Sequence, residues 1–271
     1  MVDRRAVVAL AAVVALVVGC SEPAPLFPDR VYVGVAPSSP GWNTVDAETR
    51  RSGFDHDLVN WLASELDFVP EPLSLVDGER EAALRPGGRV SLVVHTYSIT
   101  DARRDQVLFA GPYMLTRQGL LVRRDASGRP EHPDRESLRG RTVCVTEGST
   151  SAQQLGEYDL DVVPRAESVY QKCVDLLRAG EVAAVSTDQL LLHGYAAANP
   201  DTVVLAQESF GQQERYGIGF PKGDLARCRK VTELLRGLLS GTLWRSFFEA
   251  NLPGIDPAPH KPDPNKLIDC A

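Results

Sequence analysis

Apolar residues fall along this chain in short runs separated by amphipathic stretches, an order that predicts strands alternating with helices. Val31 to Val35 reads as a strand. Gly53 to Phe68 follows with Leu58, Trp61, Leu62 and Leu66 at helical spacing and Asp55 in a capping position, so a helix is expected there. Val90 to Val94 reads as a second strand, and strand, helix and strand at this spacing describe the parallel crossover of an open α/β sheet. The order recurs downstream, with Thr142 to Thr146 as strand, Ser149 onward as helix, Val162-Val163 as strand, Ser168 to Leu177 as helix and Val182 to Val185 as strand. Two α/β lobes of similar make-up are therefore expected. An apolar content of 43% over 271 residues can supply a core to each.

The N-terminal pattern differs. Arg4 and Arg5 precede an apolar run from Ala6 to Val18, which ends at Gly19-Cys20. The run is about thirteen residues where a spanning helix needs roughly twenty, so it reads as an export leader. Val17-Val18-Gly19-Cys20 resembles a bacterial lipobox, which implies removal of residues 1–19 as a signal peptide and acylation of Cys20. Residues 20–29, containing the proline-rich SEPAPLFP from Ser21 to Pro28, then form a tether to the outer face of the cell membrane. With Cys20 assigned to lipid, Cys144, Cys173, Cys228 and Cys270 remain, an even number suited to two disulfides with three pairings open. No CxxC or Cys-His spacing points to a metal, and no cofactor is expected. The net charge is −7, or −8 once a leader carrying Asp3, Arg4 and Arg5 is removed, so nothing suggests nucleic acid or anionic lipid as a partner.

The chemistry is concentrated in Thr96 to Tyr113, TYSITDARRDQVLFAGPY. Ser98 and Thr100 offer hydroxyls, and Arg103 offers a planar fork of donors that can take a carboxylate bidentately with charge assistance. On the residues alone, an arginine flanked by Asp101, Arg104 and Asp105 is more often an ion-paired surface group. Glu147-Gly148-Ser149-Thr150 leads from strand into helix, where Ser149 can cap and the first amides can bind an anion. Asp188 precedes Leu190, Leu191 and Tyr195 at helical spacing and reads as a helix cap in its own right. His95 stands beside an apolar strand and reads as structural. Asp55-His56-Asp57 opens a helix rather than a metal site.

These strings, with PGW at Pro40, GFDHDL at Gly53, VCVTEGSTS at Val143, CVDLL with STDQLLLHGYAA, and ERYGIGFPKGD at Glu214, resemble the extracytoplasmic amino-acid-binding lipoproteins of ABC importers, the family 3 solute-binding proteins of the actinobacterial glutamate/glutamine-binding type. The similarity runs from about Tyr32 to Leu252. It implies a type II periplasmic-binding-protein fold, two α/β lobes joined by two crossover strands, with residues 30–116 and 213–271 in lobe 1 and 117–212 in lobe 2. It implies that Arg103 and Ser98 bind a ligand carboxylate with Ser149 and Thr150, and that Asp188 and Thr96 hold the ammonium. It pairs Cys144 with Cys173 and Cys228 with Cys270. The family's charged run after the first strand is here Ala36-Pro37-Ser38-Ser39, and the acidic residue of the strand before TYSIT is Ser91. Trp42 is the candidate to replace the lost wall by stacking on the ligand.

The function implied is a monomeric binding component that takes a free polar amino acid of the glutamate, glutamine, aspartate and asparagine class and delivers it to permease subunits. A sensor reporting to a membrane partner or kinase is the alternative that the same site would serve. An enzyme of dehydratase type on this scaffold is disfavoured, because the chain has no GxSxG elbow, no HExxH and no Cys-His pair placed for attack.

Overall fold

A computed structural model describes residues 25–158 and 161–270. The leader, Cys20 and the first part of the tether lie outside the described residues. The strands are β1 (Arg30–Val35), β2 (Thr44–Val45), β3 (Arg51–Ser52), β4 (Val69–Ser74), β5 (Leu92–Val94), β6 (Val107–Arg123), β7 (Thr142–Thr146), β8 (Val163–Glu167), β9 (Ala184–Asp188), β10 (Thr202–Val204) and β11 (Phe210–Pro221). The helices are α1 (Phe54–Leu66), α2 (Arg80–Ala83), α3 (Asp101–Arg104), α4 (Thr150–Glu157), α5 (Tyr170–Ala179), α6 (Gln189–Ala198), α7 (Leu225–Ser240) and α8 (Leu243–Asn251).

β1 pairs in parallel with β4 and β5, and β7 pairs in parallel with β8 and β9, the two crossovers that the hydrophobic pattern predicts. The antiparallel pair β6 and β11 joins them. Val107 to Ala110 of β6 lie opposite Ile218 to Pro221 of β11, next to β5, whereas Gln118 to Leu121 of β6 lie opposite β9. Two strands therefore belong to both halves, and the strand order is β4-β1-β5-β11-β6-β9-β7-β8, with β10 along β6. This is the two-lobed α/β architecture with paired crossovers.

Each lobe has its own core. Phe54, Leu58, Leu62, Leu235, Trp244 and Phe248 pack together in the first, and Leu121, Val174, Leu177, Val185 and Tyr195 in the second. Cys144–Cys173 ties β7 to α5, and Cys228–Cys270 ties α7 to the C-terminal tail, as the resemblance implied. Closing loops of these sizes restricts the unfolded chain by about 3–4 kcal/mol each in the entropic account.

Asp55 is not the cap of α1. The first amides of that helix are taken by backbone, Phe54 N–H by the Gly41 carbonyl and Asp55 N–H by the Trp42 carbonyl, each at 3.0 Å. This close approach depends on Gly53 at the N-cap, with φ 128°, where a Cβ would stand 2.2 Å from the Trp42 carbonyl. The Asp55 carboxylate is thereby released for a long-range role.

Candidate ligand-binding cleft

A hollow between the lobes is lined by Thr96, Ser98, Arg103, Ser149, Thr150 and Asp188, joined by Asp77, Arg80, Ser151, Tyr170, Thr187 and Leu191. Thr96 and Ser98 come from the turn after β5. Arg103 sits in the last turn of α3, which Thr100 starts by accepting the Arg103 amide on its hydroxyl. Thr150 is the first residue of α4, and Asp188 ends β9. The loops at the carboxyl ends of the parallel strands of both lobes thus face one another, as open α/β sheets place their ligands.

Arg103 is buried and spans the cleft. Its Nη1 donates to the Ser98 carbonyl and its Nη2 to the Gly148 carbonyl of the opposite lobe, both at 2.9 Å, while Nε pairs with Glu81 at 3.2 Å. Tyr97 lies under the guanidinium, 5.0 Å from its ring centre, and donates its hydroxyl to Glu81 at 2.7 Å. These contacts take three of the five donors of the guanidinium and orient the remaining fork. Across the cleft the Ser149 hydroxyl accepts the Ala152 amide at 3.2 Å, which leaves the Thr150 and Ser151 amides of the first turn without an intrahelical partner. Arginine and helix amides together make a receptor for a carboxylate.

Asp188 occupies the N-cap position of α6 without capping it. Its carboxyl group instead accepts from Gln118 Nε2 at 2.7 Å and from the Tyr216 hydroxyl at 2.6 Å. Gln118 Nε2 also reaches Glu214 at 3.0 Å, and Gln118 Oε1 accepts from Ser151 at 2.6 Å. Burial, reinforced by the neighbouring Glu214 carboxylate, pushes the Asp188 carboxyl well above its ordinary range. A cation entering the hollow would meet a group that gains by ionising.

Trp42 is not brought to the hollow. It is fully buried, 5.9 Å from Phe54 and 5.4 Å from Tyr216 between ring centres, with its indole N–H 3.5 Å from the Leu190 carbonyl. The same turn lends its carbonyls to α1, which turns the indole inward. Sequence reasoning also missed Asp77, Arg80, Gln118 and Glu214. Asp77 accepts from Thr146 across the lobes and pairs with Arg80 at 3.1 Å. Burial raises its carboxyl, but Arg80 and the further groups around it outweigh that and hold it below the usual range.

A two-lobed α/β body whose crossover strands, helix start and buried arginine converge on one polar cleft defines a class, the bilobal solute receptor. The family described as bacterial extracellular solute-binding proteins, family 3, matches residues 31–244, and the chain belongs to it. It is 30% identical over 233 residues to the glutamate-binding protein GluB of Corynebacterium glutamicum, covering 82% of this chain and 78% of that one. It is 31% identical over 182 residues to the glutamine-binding protein of Geobacillus stearothermophilus, covering 66% and 68%. Among solved structures, an ancestral arginine-binding protein bound to glutamine superposes with a TM-score of 0.75 at 26% identity, over 84% of this chain and 100% of that one. Among the described residues, no helix is long and apolar enough to cross a membrane.

Proposed function

We propose that this chain is the extracytoplasmic receptor of an ABC importer, closing on a polar free amino acid and presenting it to the permease subunits. The convergence of Arg103, the first amides of α4 and Asp188 on one cleft carries this reading, because it offers a carboxylate site and an ammonium site within a single hollow. In this reading Arg103, Ser98 and the Ser149-Thr150 turn take the α-carboxylate. Asp188 takes the ammonium, helped by Thr96. Lobe 1 comprises residues 30–116 and 213–271 and lobe 2 residues 117–212, so that β6 and β11 act as the hinge. The similarity to glutamate- and glutamine-binding proteins supports a polar ligand. The lipobox-like Val17-Val18-Gly19-Cys20 supports acylation at Cys20, with the receptor held at the membrane by lipid alone and working as a monomer.

A thermal-shift screen against the twenty common amino acids tests the reading. Ligand at 100 times its dissociation constant stabilises by about 2.7 kcal/mol, a rise in Tm of roughly 5 °C or more for a chain of this size. A flat profile across all twenty would refute the receptor.

A further inference from the structure

A second hollow adjoins the first and shares Asp77, Thr96, Tyr170 and Leu191 with it. Beyond the shared residues it is lined by Ala36, Ser38, Ser39, Val76, His95 and Tyr195, among others, and no lysine or arginine lines it. In the receptor proposed above, an amino acid held by its backbone groups in the first hollow would extend its side chain here.

His95 decides what that side chain must carry. Its ring is buried and its Nε2 faces the Leu75 carbonyl at 2.8 Å. A carbonyl only accepts, so Nε2 carries the proton and, in the neutral ring, Nδ1 is a bare lone pair. Burial, with Arg80 nearby, pushes the imidazole down to about 4, so the ring is neutral at ordinary pH. Nδ1 is buried and has no hydrogen-bond partner, and Asp77 Oδ1, itself an acceptor, lies 3.8 Å from it. Two acceptors side by side call for a group bearing two N–H donors.

Charge narrows the choice. A ligand carboxylate would bring only acceptors to Asp77 Oδ1 and the imidazole lone pair, which are acceptors themselves, with no cation lining this hollow to meet it. Arg80 cannot turn to serve, because its Nε donates to the Asp77 carbonyl at 2.9 Å, Nη1 lies 3.1 Å from Asp77 Oδ1, and Nη2 donates to the Gly148 carbonyl at 3.4 Å. A cationic side chain would find Asp77 already neutralised by that guanidinium. We infer that the second hollow selects a carboxamide side chain, as in glutamine or asparagine, through donation of its N–H groups to His95 Nδ1 and Asp77, and that it discriminates against the matching carboxylates. The inference rests on the amino-acid receptor reading and sharpens it.

Titration calorimetry of the processed chain at pH 7 with glutamine, asparagine, glutamate, aspartate, arginine and lysine tests it. The expected result is that the better carboxamide binds at least tenfold tighter than its own acid and than either basic amino acid. His95→Leu, which removes the acceptor, should shrink the amide-to-acid ratio at least fivefold. Glutamate or aspartate binding as tightly as its amide, arginine or lysine binding tightest, or an unchanged ratio in folded His95→Leu would each overturn the inference while leaving the receptor standing. Should His95→Leu fail to fold, the wild-type ratio decides. Failure of every common amino acid to bind would instead remove the receptor reading and this inference together.

Discussion

The Asp55 carboxylate accepts the Thr96 amide at 2.8 Å, joining the start of α1 to the turn that opens the cleft. Its other oxygen takes the Tyr113 hydroxyl at 2.7 Å. Thr96 has φ 40°, a left-handed conformation that a β-branched residue adopts only under constraint, at a cost of about 1–3 kcal/mol. The bond from Asp55 is part of that constraint, so a residue of the first helix shapes the floor of both hollows.

Asp55 also gives the fold a pH signature. Burial pushes its carboxyl from 3.8 up to about 7, against the two hydrogen bonds that favour the ionised form. The folded state thus holds a proton that the unfolded chain gives up between about pH 4 and 7, and stability from this group falls as pH rises through that window. The difference in unfolding free energy between the wild type and Asp55→Asn should be largest below pH 4 and drop by about 4 kcal/mol by pH 8. Urea unfolding of both proteins at several pH values checks this. Taking the difference removes the opposite trend expected from His95, whose lowered titration costs stability on acidification.

Arg103→Ala should lower amino-acid affinity by about 30-fold to several-thousand-fold, the loss of about 2–5 kcal/mol expected when one partner of a desolvated charged pair is removed. It should also loosen the closed cleft, because the same guanidinium grips the Gly148 carbonyl. Arg103→Lys should rescue little of either, since an ammonium cannot serve Ser98, Gly148 and a ligand carboxylate with one planar fork. Calorimetry on folded variants reads the affinity. Near-wild-type binding by Arg103→Ala would discard the carboxylate site.

Asp188 should give up protons when a ligand ammonium arrives, because burial and Glu214 push its carboxyl well above its ordinary range and a cation pulls it back down. The binding heat of the wild type at pH 7 should therefore differ between phosphate and Tris, whose ionisation heats differ. In Asp188→Asn that difference should vanish and the affinity should fall. Equal heats for the wild type in both buffers would contradict the assignment.

Much of the site was legible because it sits where pattern and chemistry coincide. Ser149 and Thr150 stand at a strand-to-helix junction, and Arg103 lies within a string that carries its resemblance on neighbouring letters. Asp188 was legible only through resemblance, since its local pattern reads as a cap and its actual partners, Gln118 and Tyr216, come from the hinge strands. Gln118 and Glu214 left no periodic signal, because each sits in a polar run, Thr116-Arg117-Gln118 and Gln212-Gln213-Glu214-Arg215, in which nothing in the sequence distinguishes it from its neighbours. Asp55 was misread because a cap is a local device, whereas here backbone carbonyls from Gly41 and Trp42 took over that task. His95 does what a structural histidine does with one nitrogen, and the sequence says nothing of where the other faces.

Gly148 and Gly78 meet backbone to backbone across the cleft. A Cβ on Gly148, which has φ 73°, would stand 2.6 Å from the Gly78 Cα, whereas a Cβ on Gly78 meets nothing closer than the Glu147 carbonyl at 3.9 Å. Gly148→Ala should hold the lobes apart and weaken ligand binding at least tenfold, while Gly78→Ala should bind as the wild type does. Small-angle scattering with saturating ligand should show a larger radius of gyration for the first variant alone.

The pairing of β6 with β11 is interrupted between Phe210 and Glu214 and again between Tyr216 and Ile218. A ladder broken at such points bends there and gains local twist. In the receptor proposed above, the lobes would be leaves on this crease, and its opening would reduce to one angle. Gln118 of β6, beside the first of those breaks, donates both to Glu214 of β11 and to Asp188. Whatever occupies the hollow thus acts directly on the crease, and an outside surface that touches both leaves would read occupancy as a change in a single geometric quantity.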